Sequence, residues 1–271
     1  MRSYLAEFLS DPRVVRLPRL IWLPILHGIV LRTRPARSAE KYQQIWMPEG
    51  SPLAVHTVRQ AAFLQERLGI PVRYAMRYGE PSIGSALDGL QDPIVLPLYP
   101  QHAESTTESV RDALPRRVHV VEHFHDHPAY IDALAANVAR HRQGSMLVMS
   151  FHGLPKRGAE RYEKECRTTA RLLAEKLKTD RYIVTFQSRF GYARWLEPYT
   201  DATLTKLGAE GVKSVDVVCP GFVADCLETL EEIGIAGRRA YLQAGGREFH
   251  LVPCLNECPE WISAMAEIVR A

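Results

Sequence analysis

Six short runs rich in β-branched and aromatic residues, at 72–78, 93–99, 118–124, 145–150, 182–187 and 214–219, alternate with stretches whose apolar residues recur at helical spacing. This alternation constrains the chain more than any other feature. A strand, a helix and a further strand return the chain to one sheet almost only as a right-handed crossover, so the pattern predicts mostly parallel sheets with helices on both faces. The helical candidates are 54–68, 128–141, 159–177, 198–207, 225–233 and 260–270. A chain of 271 residues, 46% of them apolar, has length and core enough for two such sheets. In open α/β sheets ligands sit beyond the carboxyl ends of the strands, which directs attention to the loops after Tyr78, Tyr99, Ser150, Gln187 and Cys219.

Several function classes fall away. A net charge of +3 is small for this length and no Lys/Arg run stands out, so nucleic acid is not an expected partner. There is no Gly-x-Gly-x-x-Gly after a strand, no Walker loop and no Gly-x-Ser-x-Gly elbow, so dinucleotides, nucleoside triphosphates and α/β-hydrolase chemistry are not announced. Five cysteines, an odd number with no Cys-x-x-Cys pair, point to reduced thiols, a cytoplasmic setting and no iron–sulfur cluster. The first residues carry charge inside their apolar run and no small-residue cleavage site, which argues against a secretory signal. The most apolar stretch, 17–31, holds Pro18, Arg19, Pro24 and His27 and is short of the ~20 residues a membrane span needs. Two readings of it stand: a helix packed in the core, or an apolar lip lying on an anionic membrane surface between Arg16, Arg19, Arg32 and Arg34.

Four strand-end segments carry candidate chemistry. Phe151-His152-Gly153-Leu154-Pro155 puts an imidazole at a sheet edge, able to take a proton near neutral pH or merely to bond a loop. After Cys219, Glu228 and Glu232 are four apart on one helix face; they suit a hydrated divalent cation, or form a solvated acidic face near a helix start. Gln187-Ser188-Arg189 followed by Trp195 joins a cation to aromatics that can hold a planar acid. Tyr99-Pro-Gln101-His102 is a polar loop able to line the same cleft. The run His123-x-His125-x-His127 would turn three imidazoles to one side if the strand continued, but Asp126 and Pro128 favour a strand end and a helix cap.

Taken in order, Gly50-Ser-Pro-Leu53, Pro97-Leu-Tyr-Pro-Gln101, Ser150-Phe-His-Gly-Leu-Pro155, Thr185-Phe-Gln-Ser-Arg-Phe-Gly191 and Asp225-Cys-Leu-Glu-Thr-Leu-Glu-Glu232 resemble the ferrochelatase family, its proteobacterial members in particular. The resemblance implies two Rossmann-like, chelatase-type domains, 1–116 and 117–256, with a porphyrin cleft between them and a C-terminal helix, 257–271, packed back on the first. It implies a lyase that inserts Fe²⁺ into protoporphyrin IX to form haem and requires no cofactor beyond that substrate iron. His152 and Glu228 would be the catalytic pair and His152, Glu228 and Glu232 the metal contacts. Arg32, Arg34, Tyr99, Gln101, Gln187, Ser188, Arg189, Trp195 and Phe222 would hold the porphyrin. The family's usual opening strand, and the turn after it, have no counterpart before Tyr4, and the linkers near 114–115, 156–164 and 178–181 look short. The alternatives are a chelatase for coproporphyrin or cobalt, and a non-catalytic tetrapyrrole carrier. The setting implied is the cytoplasm, with peripheral contact to the inner membrane through 17–31.

Overall fold

A computed structural model describes residues 1–191 and 193–271. The chain opens with α1 (Arg2–Ser10), α2 (Arg19–Ile25), a π-helical turn over Leu26–Val30, and α3 (Leu31–Gln43). Pro24 and Pro35 lie inside α2 and α3. Each removes a backbone donor, so regular α-helical bonding cannot run unbroken through this segment. Leu5, Leu9, Val15, Leu26 and Leu31 form a small core of their own, closed by Trp22, whose Nε1 donates to the Leu9 carbonyl at 2.6 Å. The opposite face leaves Ile21, Ile25, Ile29 and above all Leu20, 92% exposed, without cover. The segment 17–31 is therefore part core and part apolar lip.

Helix α4 (Pro52–Leu68) begins as residues 50–53 dictate. Ser51 Oγ accepts from Ala54 N at 3.4 Å and Pro52 takes a first-turn position whose N–H would have no helical partner; left-handed Gly69 ends the helix. Then come α5 (Ile83–Leu87), β1 (Ile94–Val95), a π-helical turn over Glu104–Glu108, α6 (Ser109–Asp112) and β2 (His119–Val120). β1 and β2 are parallel partners. The strand expected at 72–78 does not form: Met76 makes an isolated bridge to Ser82 and no ladder flanks it among the described residues. The runs at 93–99 and 118–124 likewise shrink to β1 and β2. β-rich composition lets a segment pair, but a strand exists only where a neighbour lies ~4.8 Å away, and here few do. Because Ile94 pairs with His119, the first sheet reaches past the expected boundary at 116/117.

The second half continues through α7 (Pro128–His141), β3 (Met146–His152), α8 (Glu160–Lys176), β4 (Tyr182–Gln187), α9 (Thr200–Ala209), β5 (Ser214–Val218), a π-helix over Glu228–Gly237, α10 (Arg238–Gln243), β6 (Glu248–Leu251) and α11 (Pro259–Ile268). Its strands are all parallel in the order β4-β3-β5-β6. Strand alternation splits the core. Leu147, Met149 and Phe151 pack in the layer of Tyr130, Leu173 and Trp261, whereas Val148, Val215 and Val217 pack with Leu204 and Tyr241. Helix α11 packs on both α4 and α7. From β3 the chain steps through α8 to β4 on one side, then returns through α9 to β5 on the other. In open α/β sheets that reversal marks the ligand-binding crevice, here beyond the carboxyl ends of β3 and β5.

Candidate active site

His152 ends β3 at this crevice, in register with Gln187 at the end of β4. Its Nδ1 lies 2.7 Å from the Gly153 carbonyl oxygen, which can only accept, so Nδ1 carries a proton and the neutral ring has its lone pair at Nε2. The Tyr162 hydroxyl donates to the His152 carbonyl at 2.8 Å, and the Phe222 ring faces the imidazole with centroids 6.3 Å apart. Gly153 N donates to the Gln187 carbonyl at 2.7 Å, and a Cβ on Gly153 would stand 2.7 Å from that same oxygen. The residue after His152 must therefore be glycine for the two strand ends to approach this closely.

The π-helix brings in the acids. Its i→i+5 bonding replaces the α-helix expected over 225–233, and π-helical segments gather at functional sites. Glu232 accepts from the Ser188 backbone N at 2.7 Å and from its hydroxyl at 2.6 Å. Ser188 is left-handed, at φ 66°. Burial raises the Glu232 carboxyl above its ordinary value; the Ser188 bonds and His152 pull it back part of the way, and Glu228 adds to the rise. His152, Glu228 and Glu232 thus share one electrostatic environment. Gln187 fastens it by donating from Nε2 to the Glu228 carbonyl at 2.8 Å.

Around Glu228 stand three phenols, Tyr4, Tyr42 and Tyr99, each raised first by burial and then by neighbours that include this acid; Tyr42 is pushed up to about 12. All three remain neutral at physiological pH. Tyr4 and Tyr42, from α1 and α3, were not among the expected site residues. Nothing local distinguishes them from ordinary helix tyrosines, and only long-range packing brings them here.

Several expected substrate contacts have other occupations. Gln187 and Gln101 are only 4% and 3% exposed; Gln187 Oε1 accepts from Ser150 Oγ at 2.6 Å and Gln101 Nε2 donates to Thr169 Oγ1 at 3.0 Å. Trp195 is buried and donates Nε1 to the Phe190 carbonyl at 2.9 Å. These three brace the walls, and Ser188 gives its donors to Glu232. Amide and indole groups in a strand-end motif satisfy the nearest internal partner, which their residue types alone do not reveal. Arg189 stacks over Tyr199 at 4.0 Å and pairs with Asp201 at 3.1 Å. Arg32 and Arg34 are exposed on α3, while Tyr99 and Phe222 are half-buried.

Of the histidine run, His127 caps α7, while His123 and His125 meet with Nδ1 atoms 3.1 Å apart. Burial lowers the His125 imidazole below its ordinary value. Burial also pushes the Cys219, Cys226 and Cys254 thiols well up.

The family profile described as Ferrochelatase matches residues 1–271. The chain belongs to the ferrochelatase family. Similar family members named ferrochelatase include one from Polaromonas sp., 55% identical over 98% of this chain and 80% of its own length, and one from Azoarcus sp., 53% identical over 100% and 82%. The aligned stretches run to 295 and 298 positions against 271 residues here, so these ferrochelatases carry additional residues within them. Among solved structures, CbiX, described as the terminal enzyme for biosynthesis of siroheme in denitrifying bacteria, superposes with TM-score 0.53 at 17% identity, covering 86% of this chain and 92% of that one. DR2241 from Deinococcus radiodurans, described as similar to chelatases, gives 0.53 at 16% identity over 80% of this chain and 51% of its own. These likenesses give the family its α/β chelatase fold and leave its substrate to other arguments. No helix among the described residues is long and apolar enough to cross a membrane.

Proposed function

We infer that this ferrochelatase-family chain inserts Fe²⁺ into protoporphyrin to form haem. The observation that supports the reading most is the meeting of His152, Glu228 and Glu232, from distant stretches, at the crevice where the sheet order reverses. Metal insertion needs a base for the pyrrole protons and an oxygen-donor group that can take the ion from water.

His152 Nε2 is the base. With Nδ1 held by the Gly153 carbonyl, the ring cannot switch tautomer without losing that bond. Glu232, its proton affinity raised by burial, takes the first proton on from His152, which frees Nε2 for the second of the two pyrrole protons. Glu228 offers a carboxylate to the ferrous ion among phenols that can bond its waters. Phe222 and Tyr99 provide apolar surface for the macrocycle, and Arg32 and Arg34 on α3 meet its propionates. The exposed lip of Leu20, Ile21, Ile25 and Ile29 rests on the cytoplasmic face of a membrane, from which an apolar porphyrin can enter.

The test is an absorption titration of purified protein with protoporphyrin, followed by Fe²⁺ under anaerobic conditions. The porphyrin spectrum should first shift on binding and then convert to that of haem. Insertion only into coproporphyrin or sirohydrochlorin, or only of Co²⁺, would move the chain to another chelatase activity. Saturable porphyrin binding without insertion would make it a carrier.

A further inference from the structure

The segment His123-Phe-His-Asp126 takes no part in the crevice, yet it gathers ligand atoms as a metal site does. Residues 123 and 125 flank Phe124, which is 2% exposed and donates its backbone N to the Pro100 carbonyl at 2.9 Å. The imidazoles on either side of Phe124 lie together, with ring centroids 4.8 Å apart. The His125 carbonyl accepts from Thr169 Oγ1 at 2.8 Å, which fixes the second imidazole from α8.

The His123 and His125 Nδ1 atoms lie 3.1 Å apart, and one ligand atom from each of His123, His125 and Asp126 falls within 4.8 Å of the others. Imidazole nitrogens bound at ~2.1 Å to one ion in octahedral or tetrahedral geometry stand roughly 3.0–3.4 Å apart, the spacing the histidine pair has in its N–H···N hydrogen bond, whose proton the ion would replace. Asp126 Oδ1 is 3.8 Å from His125 Nδ1 and its side chain is 51% exposed, leaving an open path for an ion and its waters. Glu165 Oε2 is also 3.8 Å from His125 Nδ1, but it already accepts from His102 N. It contributes charge rather than a bond.

We propose that His123, His125 and Asp126 bind a divalent transition-metal ion, separately from the His152 crevice. Two imidazoles with one carboxylate select ions of the Zn²⁺, Co²⁺, Ni²⁺ and Fe²⁺ class over Mg²⁺ or Ca²⁺, which prefer all-oxygen sites. The two places share no ligand. Helix α8 lies between them, with Glu165 near His125 and Tyr162 bonded to the His152 carbonyl.

The experiment titrates Co²⁺ into the 271-residue chain carrying His152→Ala, Glu228→Gln and Glu232→Gln, which disables the crevice, with visible absorption and calorimetry as readouts. A single saturable site should appear, displaced by Zn²⁺ and not by Mg²⁺. Adding His123→Ala should weaken it more than ~10-fold, since even outer partners of metal ligands are worth ~10–100-fold. Asp126→Asn, an exposed change that leaves packing alone, should weaken it less. In protein with an intact crevice, His123→Ala should leave iron insertion within about twofold of the parent. Absence of Co²⁺ binding in the crevice-disabled protein, or binding indifferent to both His123→Ala and Asp126→Asn, would overturn the site. A parallel loss of insertion in His123→Ala would overturn its separateness.

Discussion

In the second half of the molecule four parallel strands place His152 directly, and through the turn after β5 they place Glu228 and Glu232; in the first half β1 and β2 leave Tyr4, Tyr42, Arg32 and Arg34 to helices. The first half is held instead by a buried carboxylate. Asp11 accepts from Ser109 Oγ at 2.5 Å, Arg77 Nη2 at 2.7 Å, Tyr78 OH at 2.8 Å and Arg13 N at 2.8 Å. Burial alone would raise this acid, but the donors together outweigh it and hold Asp11 below its ordinary value. A sheet fixes position through many small backbone bonds, so losing one side chain leaves its frame intact. A hub concentrates position in one group, whose loss moves everything tied to it.

Single substitutions can break this contrast, taken here from largest effect to smallest. His152→Ala should lower insertion turnover by ~10²–10⁴-fold, the usual worth of a general base, while protoporphyrin affinity and unfolding midpoint stay near those of the parent. Steady-state kinetics within about threefold of the parent would remove His152 from the chemistry. Asp11→Ala should do the reverse: a loss of about 2–3 kcal/mol in urea unfolding at neutral pH, because four donors are left unmatched. Since the folded value of Asp11 is depressed, its contribution is present above the ordinary 3.8 and is lost as pH falls through the folded value. The stability gap between parent and Asp11→Ala should therefore narrow in acid; a pH-independent gap would refute the hub.

Glu232→Gln tests the sheet side more finely. Glutamine presents one acceptor and one donor to Ser188, as the protonated acid does, so the variant should match the parent within about 0.5 kcal/mol where Glu232 is protonated, below its ordinary 4.5. The raised folded value means that the parent loses stability as pH climbs from 4.5 through that value, so the variant should become the more stable of the two with rising pH, opposite in sign to Asp11→Ala. Chemical denaturation at several pH values reads both slopes. Leu20→Ser should change stability by no more than ~0.5 kcal/mol, since Leu20 touches little, yet reduce co-sedimentation with anionic lipid vesicles. Unchanged co-sedimentation would separate the lip from membranes.

The same contrast explains what could be read in the residues beforehand. Helix α7 is legible end to end because Pro128 opens it and its apolar face repeats regularly. β3, β4 and β5 are legible because buried parallel strands are short continuous apolar runs. β6 escapes notice as a four-residue edge strand with Glu248 exposed. In the first half composition misleads, since 72–78 has a strand's residues but, among the described residues, only the isolated Met76 bridge and no ladder. At the site, His152 and the acids stand out by residue type and strand-end location. The π winding of Glu228–Gly237 has no local signature, and the bracing roles of Gln101, Gln187 and Trp195 depend on partners far along the chain.

The strand order carries a consequence for how such a protein comes to life on the ribosome. β3 emerges early, but the crevice is bounded by β5 and the winding segment after it, so a partly synthesised chain owns an imidazole with no acid to answer it. Parallel strands also pair slowly, across long intervening stretches. The His152 crevice is therefore completed late, once the C-terminal third has docked and brought Glu228 and Glu232 to the imidazole.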